Sequence, residues 1–447
     1  MSVSVKLLMA AAGASGVSDT YFIGTADDSR NLYATCVDSD GEYIWWGGYA
    51  DQFSGSPYGW MTVLNLDGTV NASKEIDKPN SQIVDGVITA TNNGMVTVGN
   101  GYLNSTYSGN RAYLDWSNNG LFNAKKRNLT TNTEIATGIG YQGSGNVFYT
   151  IGQGNYSGSG YVTFGKVTAS GSDFSENESR RFQYFSSFPS GFEPPTYGGI
   201  AVDSSGKPII AGYYLNCARY DTSLSHDVGK TVSLYTTEYN SPSLAVDSND
   251  NVILSGFGRA NSSSYQEALL IKLNQSDFSV AWARAIRQGT SNQAGRSYSC
   301  CVDSNDNVYM CGSLQVGFDG YGFIAKYNSS GTLQWTRRFY VSGSYPTFVL
   351  NKIKTDPRDN VLVAGYINNG SDKRALILKI PSDGVDAQSI TIDSRTITIS
   401  NPSLTNTNWS PSTSNYSPNL TDTSTTNMGN WNHTVPNSGY TNTIQEL

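Results

Sequence analysis

A short pattern that recurs along the chain constrains the fold more than any other feature of the sequence. Each copy has residues typical of a strand, a turn-forming cluster that often begins with aspartate, and a second strand-like stretch that ends in glycine. The terminal glycines lie 44 to 60 residues apart. The seven copies are CVDSDGEYIWWG (36–47), TATNNGMVTVG (89–99), YQGSGNVFYTIG (141–152), AVDSSGKPIIAG (201–212), AVDSNDNVILSG (245–256), CVDSNDNVYMCG (301–312) and KTDPRDNVLVAG (354–365).

A second motif follows each copy and has the form of a strand, a turn and another strand. The clearest examples are GFIAKYNSSGTLQWTRRF (322–339) and ALLIKLNQSDFSVAWARAI (268–286), with Gly, Asp or Asn in the turn. One repeat therefore contains about four short strands. Units of four strands that recur about every 50 residues are typical of a β-propeller, in which ring closure removes the exposed sheet edges of an open stack.

The repeat resembles a known family of propeller repeats. The pattern AVDSSG (201–206), followed by a stretch such as FIAKYNSSGTLQW (323–335), is similar to the repeats named for the seven-bladed propellers of bacteria and phages. The resemblance implies an all-β fold, a seven-bladed β-propeller of four-stranded blades with extended N- and C-terminal arms. We place the N-terminal arm at 1–19, the propeller at 20–400 and a Ser/Thr/Asn-rich C-terminal arm at 401–447.

The strand that closes the ring has two candidates. YFIGT (21–25) has strand character and lies one step before the first repeat, where the fourth strand of a preceding unit would be. We predict that it joins the last blade and closes the ring. SITIDSRTITIS (389–400) competes for the same position.

Composition and charge exclude several classes of function. The net charge is −7 and the basic residues are scattered, which argues against a nucleic-acid partner. No run approaches the ~20 apolar residues of a membrane-spanning helix. The five cysteines lack regular spacing and form no CxxC pair, so we predict neither a disulfide framework nor a zinc site, and no cofactor. Cys36, Cys301 and Cys311 align with alanines of other copies, so we expect buried thiols that act as small apolar side chains.

The acid-led turns allow two interpretations. The DSNDN stretches at 247–251 and 303–307 carry oxygen ligands at alternating positions, as in part of a calcium loop, but the later bidentate glutamate is missing. In the alternative, which we favour, the aspartate side chains accept hydrogen bonds from nearby backbone N–H groups and tie the first strand to the second. These aspartates are Asp38, Asp203, Asp247, Asp303 and Asp356.

Catalytic patterns are scarce, and we predict that the protein is not an enzyme. The two histidines, His226 and His433, lie far apart, and the chain has no GxSxG, HExxH or phosphate-binding loop. Aromatic side chains near the loops between second and third strands suggest glycan binding, unless they pack between blades as we expect for Trp282 and Trp335. The candidate glycan-binding residues are Tyr58, Trp60, Tyr213 and Tyr214.

The two ends of the chain differ from the repeats. In residues 401–447, 31 of 47 residues are Asn, Ser, Thr or Pro, and isolated apolar residues lie between them. Such a segment buries little apolar surface by itself, so we expect it to lie as an extended strap on another protein. The predicted partner-binding residues of the two arms are Leu7, Leu8, Met9, Leu404, Trp409, Tyr416, Leu420, Trp431 and Tyr440.

The two ends also carry a second resemblance. The opening VKLLMAAAGASG (5–16) and the Ser/Thr/Asn-rich end resemble virion proteins of marine tailed phages, including cyanophages. This implies a non-enzymatic structural protein of the virion, associated with the tail or tail fibres and assembled in the host cytoplasm. The propeller would be a rigid platform, and the arms would lock onto neighbouring virion subunits in a homo- or hetero-oligomeric assembly.

Other functions remain as alternatives. One is a lectin-like propeller that binds a host-surface glycan for adsorption. The others are a secreted bacterial surface propeller protein and a polysaccharide hydrolase.

Overall fold

The computed structural model shows a chain made almost entirely of β-strands. It describes residues 20–27, 31–51, 58–76, 81–89, 94–102, 109–117, 120–127, 133–143, 145–156, 159–170, 173–185, 199–212, 215–234, 243–260, 266–288, 294–316, 319–343, 346–368, 373–392, 394–402, 404–415, 421–422, 428–430 and 441–446. Within these residues no helix is long and apolar enough to cross a membrane.

The strands pair as antiparallel meanders of four. The first strand is β1 (Phe22–Asp27), and meander 1 consists of β2 (Asn31–Ser39), β3 (Tyr43–Asp51), β4 (Tyr58–Asn65) and β5 (Val70–Glu75). Meander 2 consists of β6 (Ser81–Thr89), β7 (Gly94–Tyr102), β8 (Gly109–Ser117) and β9 (Gly120–Arg127). Meander 3 consists of β10 (Thr133–Tyr141), β11 (Val147–Tyr156), β12 (Ser159–Ser170) and β13 (Asp173–Phe185).

The same order continues along the chain. Meander 4 consists of β14 (Gly199–Val202), β15 (Pro208–Gly212), β16 (Asn216–Tyr220) and β17 (His226–Val232). Meander 5 consists of β18 (Ser243–Val246), β19 (Val252–Gly258), β20 (Glu267–Leu273) and β21 (Val280–Gln288). Meander 6 consists of β22 (Gly295–Val302), β23 (Val308–Val316), β24 (Asp319–Tyr327) and β25 (Leu333–Val341).

Meander 7 combines the two ends of the repeat region. It consists of β26 (Thr347–Thr355), β27 (Val361–Asn368), β28 (Lys373–Ile380) and, as its fourth strand, β1. Ile23 pairs with Leu378, so the prediction that residues 21–25 join the last unit is confirmed. A single parallel bridge between Gly320 and Thr347 links meanders 6 and 7 into one larger sheet.

The competing segment takes a different place. β29 (Gln388–Ile392) and β30 (Arg395–Ser400) form a hairpin, and β30 pairs with β25 on the outer side of meander 6. This hairpin therefore does not close the ring.

The meanders form a propeller-like arrangement in which the first strands lie next to one another at the centre. In chain order, β2, β6, β10, β14, β18, β22 and β26 each contact the next, and β26 also contacts β2. Each pair of neighbouring meanders shares one apolar cluster of buried side chains, including the pair formed by meanders 7 and 1. Alternate residues of a strand point to opposite faces of its sheet, so both faces of each meander are apolar.

The terminal glycines of the repeat allow the second strand to pass close beside the first. In five meanders the first strand carries a β-bulge, and the bulged residues are Thr35, Val84, Thr137, Tyr298 and Asn351. A Cβ atom on Gly312 would lie only 1.9 Å from the carbonyl oxygen of Arg296, next to the bulge. Gly99, Gly365 and Gly48 make equivalent approaches, so the structure places Gly48, and not Gly47, at this position in meander 1.

The C-terminal segment wraps around the outside of the same molecule. Its strands pair in turn with the outer strands of meanders 5, 4, 3, 2 and 7. We call these strands the belt: β31 (Leu404–Trp409) on β21, β32 (Thr413–Asn415) on β17, β33 (Thr421–Asp422) on β13, β34 (Met428–Asn430) on β9 and β35 (Thr441–Glu446) on β1.

The prediction that residues 401–447 require another protein for their order is therefore wrong for the described belt. Leu404 packs against the apolar cluster between meanders 5 and 6, and Trp409 is 8% exposed in the cluster between meanders 4 and 5. The physical reason is that outer strands offer unpaired backbone groups, which the belt satisfies with very few apolar side chains. Leu7, Leu8, Met9, Tyr416, Leu420, Trp431 and Tyr440 lie outside the described residues.

The first four belt strands advance by one meander every seven or eight residues. In each of the four an Asn or Asp lies opposite a basic residue of the outer strand, and the pairs are Asn408 with Arg284, Asn415 with Lys230, Asp422 with Arg180 and Asn430 with Lys125. The Lys230 ammonium donates to Asn415 Oδ1 at 2.7 Å. The Asn and Asp residues of this low-complexity segment thus recur at the spacing between neighbouring meanders.

Replacement of Gly312 by alanine tests the close backbone approach. We expect Gly312→Ala to lower the free energy of unfolding by about 1–3 kcal/mol, because the added methyl group forces the first strand to move. Gly212→Ala is the matched control, since a Cβ on Gly212 meets no atom within 4 Å. Urea unfolding followed by tryptophan fluorescence measures both, and equal stabilities would contradict the explanation.

Truncation after Ser400 tests the belt. The loss of Trp409 packing alone costs about 3 kcal/mol, and the bared outer strands favour edge-to-edge association. We expect the truncated chain to unfold at a lower temperature and to form oligomers that grow with concentration. Size-exclusion chromatography with light scattering measures this, and a monomer with the full-length melting temperature would show that the belt contributes nothing.

Candidate functional site

Four of the five predicted turn aspartates hold the turn between the first and second strands of their meander. In each, Oδ1 accepts hydrogen bonds from the backbone N–H groups two and four residues later, at 2.8 to 3.0 Å. This is the geometry of an Asx turn. The turn interpretation is confirmed for Asp203, Asp247, Asp303 and Asp356.

The prediction is wrong for Asp38. Its Oδ2 accepts from the backbone N–H of Ile88 in meander 2 at 3.1 Å. The turn of meander 1 is held instead by Asp40, whose Oδ1 accepts from the N–H groups of Glu42 and Tyr43, both at 2.8 Å. β2 continues to Ser39, so the Val-Asp pair lies two residues earlier in the strand register than in the other copies.

A serine of one turn bonds to an aspartate of the next turn around the ring. The aspartates have φ between 60° and 64°, which is unusual for a residue other than glycine. Each carboxylate accepts from both the backbone N–H and the Oγ of the serine, at 2.5 to 2.9 Å. The pairs, which we call Ser–Asp bridges, are Ser204 with Asp250, Ser248 with Asp306 and Ser304 with Asp359.

A basic residue of the third strand forms a second link between neighbours. Each donates to a backbone carbonyl in the turn that directly follows the third strand of the next meander, at 2.9 to 3.4 Å. Lys379 of meander 7 reaches the carbonyl of Leu66 in meander 1, across the junction that closes the ring. The full set is Lys166, Arg219, Lys272, Lys326 and Lys379.

These basic residues were not singled out by sequence reasoning. The signal was present, because a lysine recurs at one position in FIAKY (323–327), LLIKL (269–273) and LILKI (376–380). Lys272 also lies 2.6 Å from Asp247 Oδ2. Burial would raise the pKa of Asp247, but the hydrogen bonds from Lys272 and Asn251 outweigh it and lower the pKa below its usual range.

Two tryptophans of the fourth strands lie at the same junctions, as predicted. The indole N–H groups of Trp282 and Trp335 donate to the carbonyls of Ser329 and Ser382 in the next meander, at 3.1 and 3.2 Å. The guanidinium of Arg284 lies 5.5 Å from the Trp282 ring centroid. These aromatics therefore join meanders rather than form a surface for sugars.

The first strands enclose an axial channel. Four of the five bulged residues form side-chain hydrogen bonds beside it. Thr35 and Asn351 donate to backbone carbonyls of the adjacent meander, at Ile83 and Ala34. Thr137 donates to the carbonyl of Ile151, and the Tyr298 hydroxyl bonds to Ser313, each within its own meander. The Lys352 ammonium lies 2.6 Å from Asp85 Oδ1.

Within the channel a narrow cavity of about 60 Å³ near the bulges is followed by a wider one of about 400 Å³. Val202, Val246 and Val302, which line the wider cavity, directly precede turn aspartates. The wider cavity therefore lies toward the face that carries the acid-led turns.

The five cysteines are buried and unpaired: Cys36, Cys217, Cys300, Cys301 and Cys311. Burial raises the pKa of every one of these thiols, and it raises that of Cys300 to about 11. At neutral pH they are protonated and serve as small apolar side chains, as the sequence predicted.

Of the four predicted glycan-binding residues, the structure describes Tyr58 and Trp60. Trp60 is fully buried, with its ring edge-to-face against Trp46 at 4.9 Å, so the prediction that it stacks on a sugar is wrong. It lies in the cluster between meanders 7 and 1, because β4 is apolar on both faces. Tyr58 is half-buried, and Tyr213 and Tyr214 lie outside the described residues.

Comparisons with known proteins give likeness of fold only. No family model and no curated protein matches the sequence. Among solved structures, the chain is similar to the polysaccharide lyase Uly1 (11% identity, TM-score 0.43, covering 78% of this chain and 90% of that one). It is also similar to BamB from Moraxella catarrhalis (11%, 0.36, 77% and 85%) and to the WD40 domain of Toxoplasma gondii coronin (10%, 0.30, 90% and 89%).

Substitution of Asp306 tests the Ser–Asp bridges. Asp306→Ala removes the bridge and keeps a β-carbon at positive φ, whereas Asp306→Gly removes the bridge and relieves that strain. We expect both variants to be less stable than the parent, with the alanine variant lower than the glycine variant by about 1 kcal/mol. Thermal unfolding measures the order, and an alanine variant equal to the parent would contradict the role of the bridge.

Proposed function

We propose that this protein is a non-enzymatic structural protein of a tailed-phage virion, associated with the tail or its fibres. In this proposal it is a closed, seven-bladed propeller that serves as a rigid platform for other virion proteins. The observation that carries the proposal is that the molecule ties its own blades together on three levels: at the turns, at the hairpins and along the outer edge.

The blade count rests on treating meanders 6 and 7 as separate blades. Their shared sheet is joined by one parallel bridge, while each has a full set of four antiparallel strands. Seven apolar clusters, one at each junction, and the contact between β26 and β2 support a ring of seven.

The self-tied ring supports a structural role for a physical reason. A particle outside a cell persists without chaperones, so its proteins depend on slow unfolding. Local opening of meander 4, 5 or 7 requires the loss of a Ser–Asp bridge, a third-strand cation bond and a belt strand together. Opening at the junction between meanders 7 and 1 requires the loss of the hydrogen bond from Lys379 to the carbonyl of Leu66. Meander 7 is itself held to the start of the chain, because β1 pairs with β28.

The chemistry of the buried groups supports a non-enzymatic role. The thiols are protonated at neutral pH, and the acids Asp203, Asp247, Asp303 and Asp356 are engaged in turns. The carboxylate of Asp85 is paired with Lys352. These groups are occupied in holding structure rather than poised for acid–base or nucleophilic work.

The virion assignment is tested on particles of the phage that encodes the chain. We expect the protein to be present in gradient-purified virions in a fixed number of copies, and antibodies against it to label the tail in immunogold electron microscopy. Quantitative mass spectrometry of the particles, normalised to the major capsid protein, measures the copy number. Its absence from washed virions, or label only on the capsid, would refute the proposal.

A further inference from the structure

The wall of the axial channel has two unlike sides. The positions three residues after the bulges carry Asp38 in meander 1 and Lys354 in meander 7, which are neighbours in the ring. Around the rest of the ring the corresponding residues are Val87, Gly140, Ala201, Ala245 and Cys301. Small side chains thus leave open space opposite one acid and one base.

The charged groups of this wall differ in how well they are satisfied. The Asp85 carboxylate has its partner in Lys352, and the Asp38 carboxylate accepts two backbone N–H groups at 3.0 and 3.1 Å. Lys354 has no hydrogen-bond acceptor within 3.5 Å and no carboxylate oxygen within 4.0 Å among the described residues. The group left without a partner in the channel is therefore a cation that has three N–H bonds to donate.

Lys354 stays charged in this position. Burial lowers its pKa, but the nearby carboxylates of Asp38 and Asp85 outweigh burial, and the net effect raises the pKa. Burial also raises the pKa of Asp38 above its usual range.

The space next to Lys354 suits a small organic molecule. The cavity of about 400 Å³ falls in the usual size range of ligand pockets. Most of its lining side chains are aliphatic, including Ile139, Ile200, Leu244 and Val246, and Asp38, Tyr141 and Thr355 add polar groups. Aliphatic side chains together with one cation that lacks a partner favour a ligand with an apolar body and a single anionic group.

We propose that the axial channel binds a small organic carboxylate, with the carboxylate on the Lys354 ammonium and the apolar body against the small side chains of meanders 3 to 5. The ligand enters from the face that carries the acid-led turns, where the wider cavity lies. This site is independent of whether the protein is a virion component.

Benzoate is the probe for a calorimetric titration of the full-length chain. We expect saturable binding of one benzoate per chain, and binding roughly ten- to a hundredfold weaker in Lys354→Met, because a hydrogen bond to a charged group is lost. Lys354→Arg, which keeps the charge, should retain most of the affinity. Lys207→Met, which removes an exposed lysine that does not line the cavity, is the matched control and should bind as the parent does.

Two further probes separate the parts of the proposal. Benzyl alcohol has the same ring without the charge, and acetate has the charge without the ring; both should bind at least about tenfold more weakly than benzoate. Melting curves of each variant verify that it is folded. The proposal is overturned by an absence of benzoate binding, by full affinity in folded Lys354→Met, or by equal affinity for benzyl alcohol or acetate.

Discussion

The outermost strand of each meander presents a row of backbone N–H and C=O groups with no partner inside its own four strands. Such edges invite pairing with any available strand, and proteins must cover them or make them unattractive. Here the cover comes from the same chain. The belt is poor in apolar residues because backbone pairing needs none, and its first four strands each carry an Asn or Asp opposite a basic residue. A composition that looks like disorder is sufficient for a segment whose binding site is a sheet edge.

The repeat motif acts between neighbours as much as within one meander. In DSNDN, the first aspartate holds its own turn, the serine bonds forward to the next meander, and the second aspartate receives the serine of the preceding one. A single copy would leave two of these three functions unused. The same is true of the third-strand lysines, whose acceptors lie in the turn after the third strand of the next meander. The motif therefore stabilises a ring and would stabilise an isolated meander far less.

Sequence reasoning predicted what depends on local chemistry. The strands, the Asx turns, the closing strand 21–25 and the buried thiols follow from turn residues, spacing and hydrophobic pattern. It failed where a distant partner decides the outcome. Trp60 looked like a loop aromatic, but β4 is covered on both faces, and nothing near it in the sequence reveals the second face. Asp38 was aligned by its motif, whereas the bulge at Thr35 sets the true register. The unpaired Lys354 is visible only once seven first strands are placed around one axis.

Because β1 is the fourth strand of meander 7, it cannot pair in the order in which the chain is synthesised. β1 is synthesised before meanders 1 to 6 and pairs with β28, so the nascent chain carries an unmatched strand while the intervening meanders are made. At about 5–20 residues per second this interval is of the order of tens of seconds. The belt is synthesised later still. It pairs with meanders 5, 4, 3 and 2 in that order, which is the reverse of the order in which they were synthesised. The belt strands therefore become available only after the meanders that they cover have been synthesised.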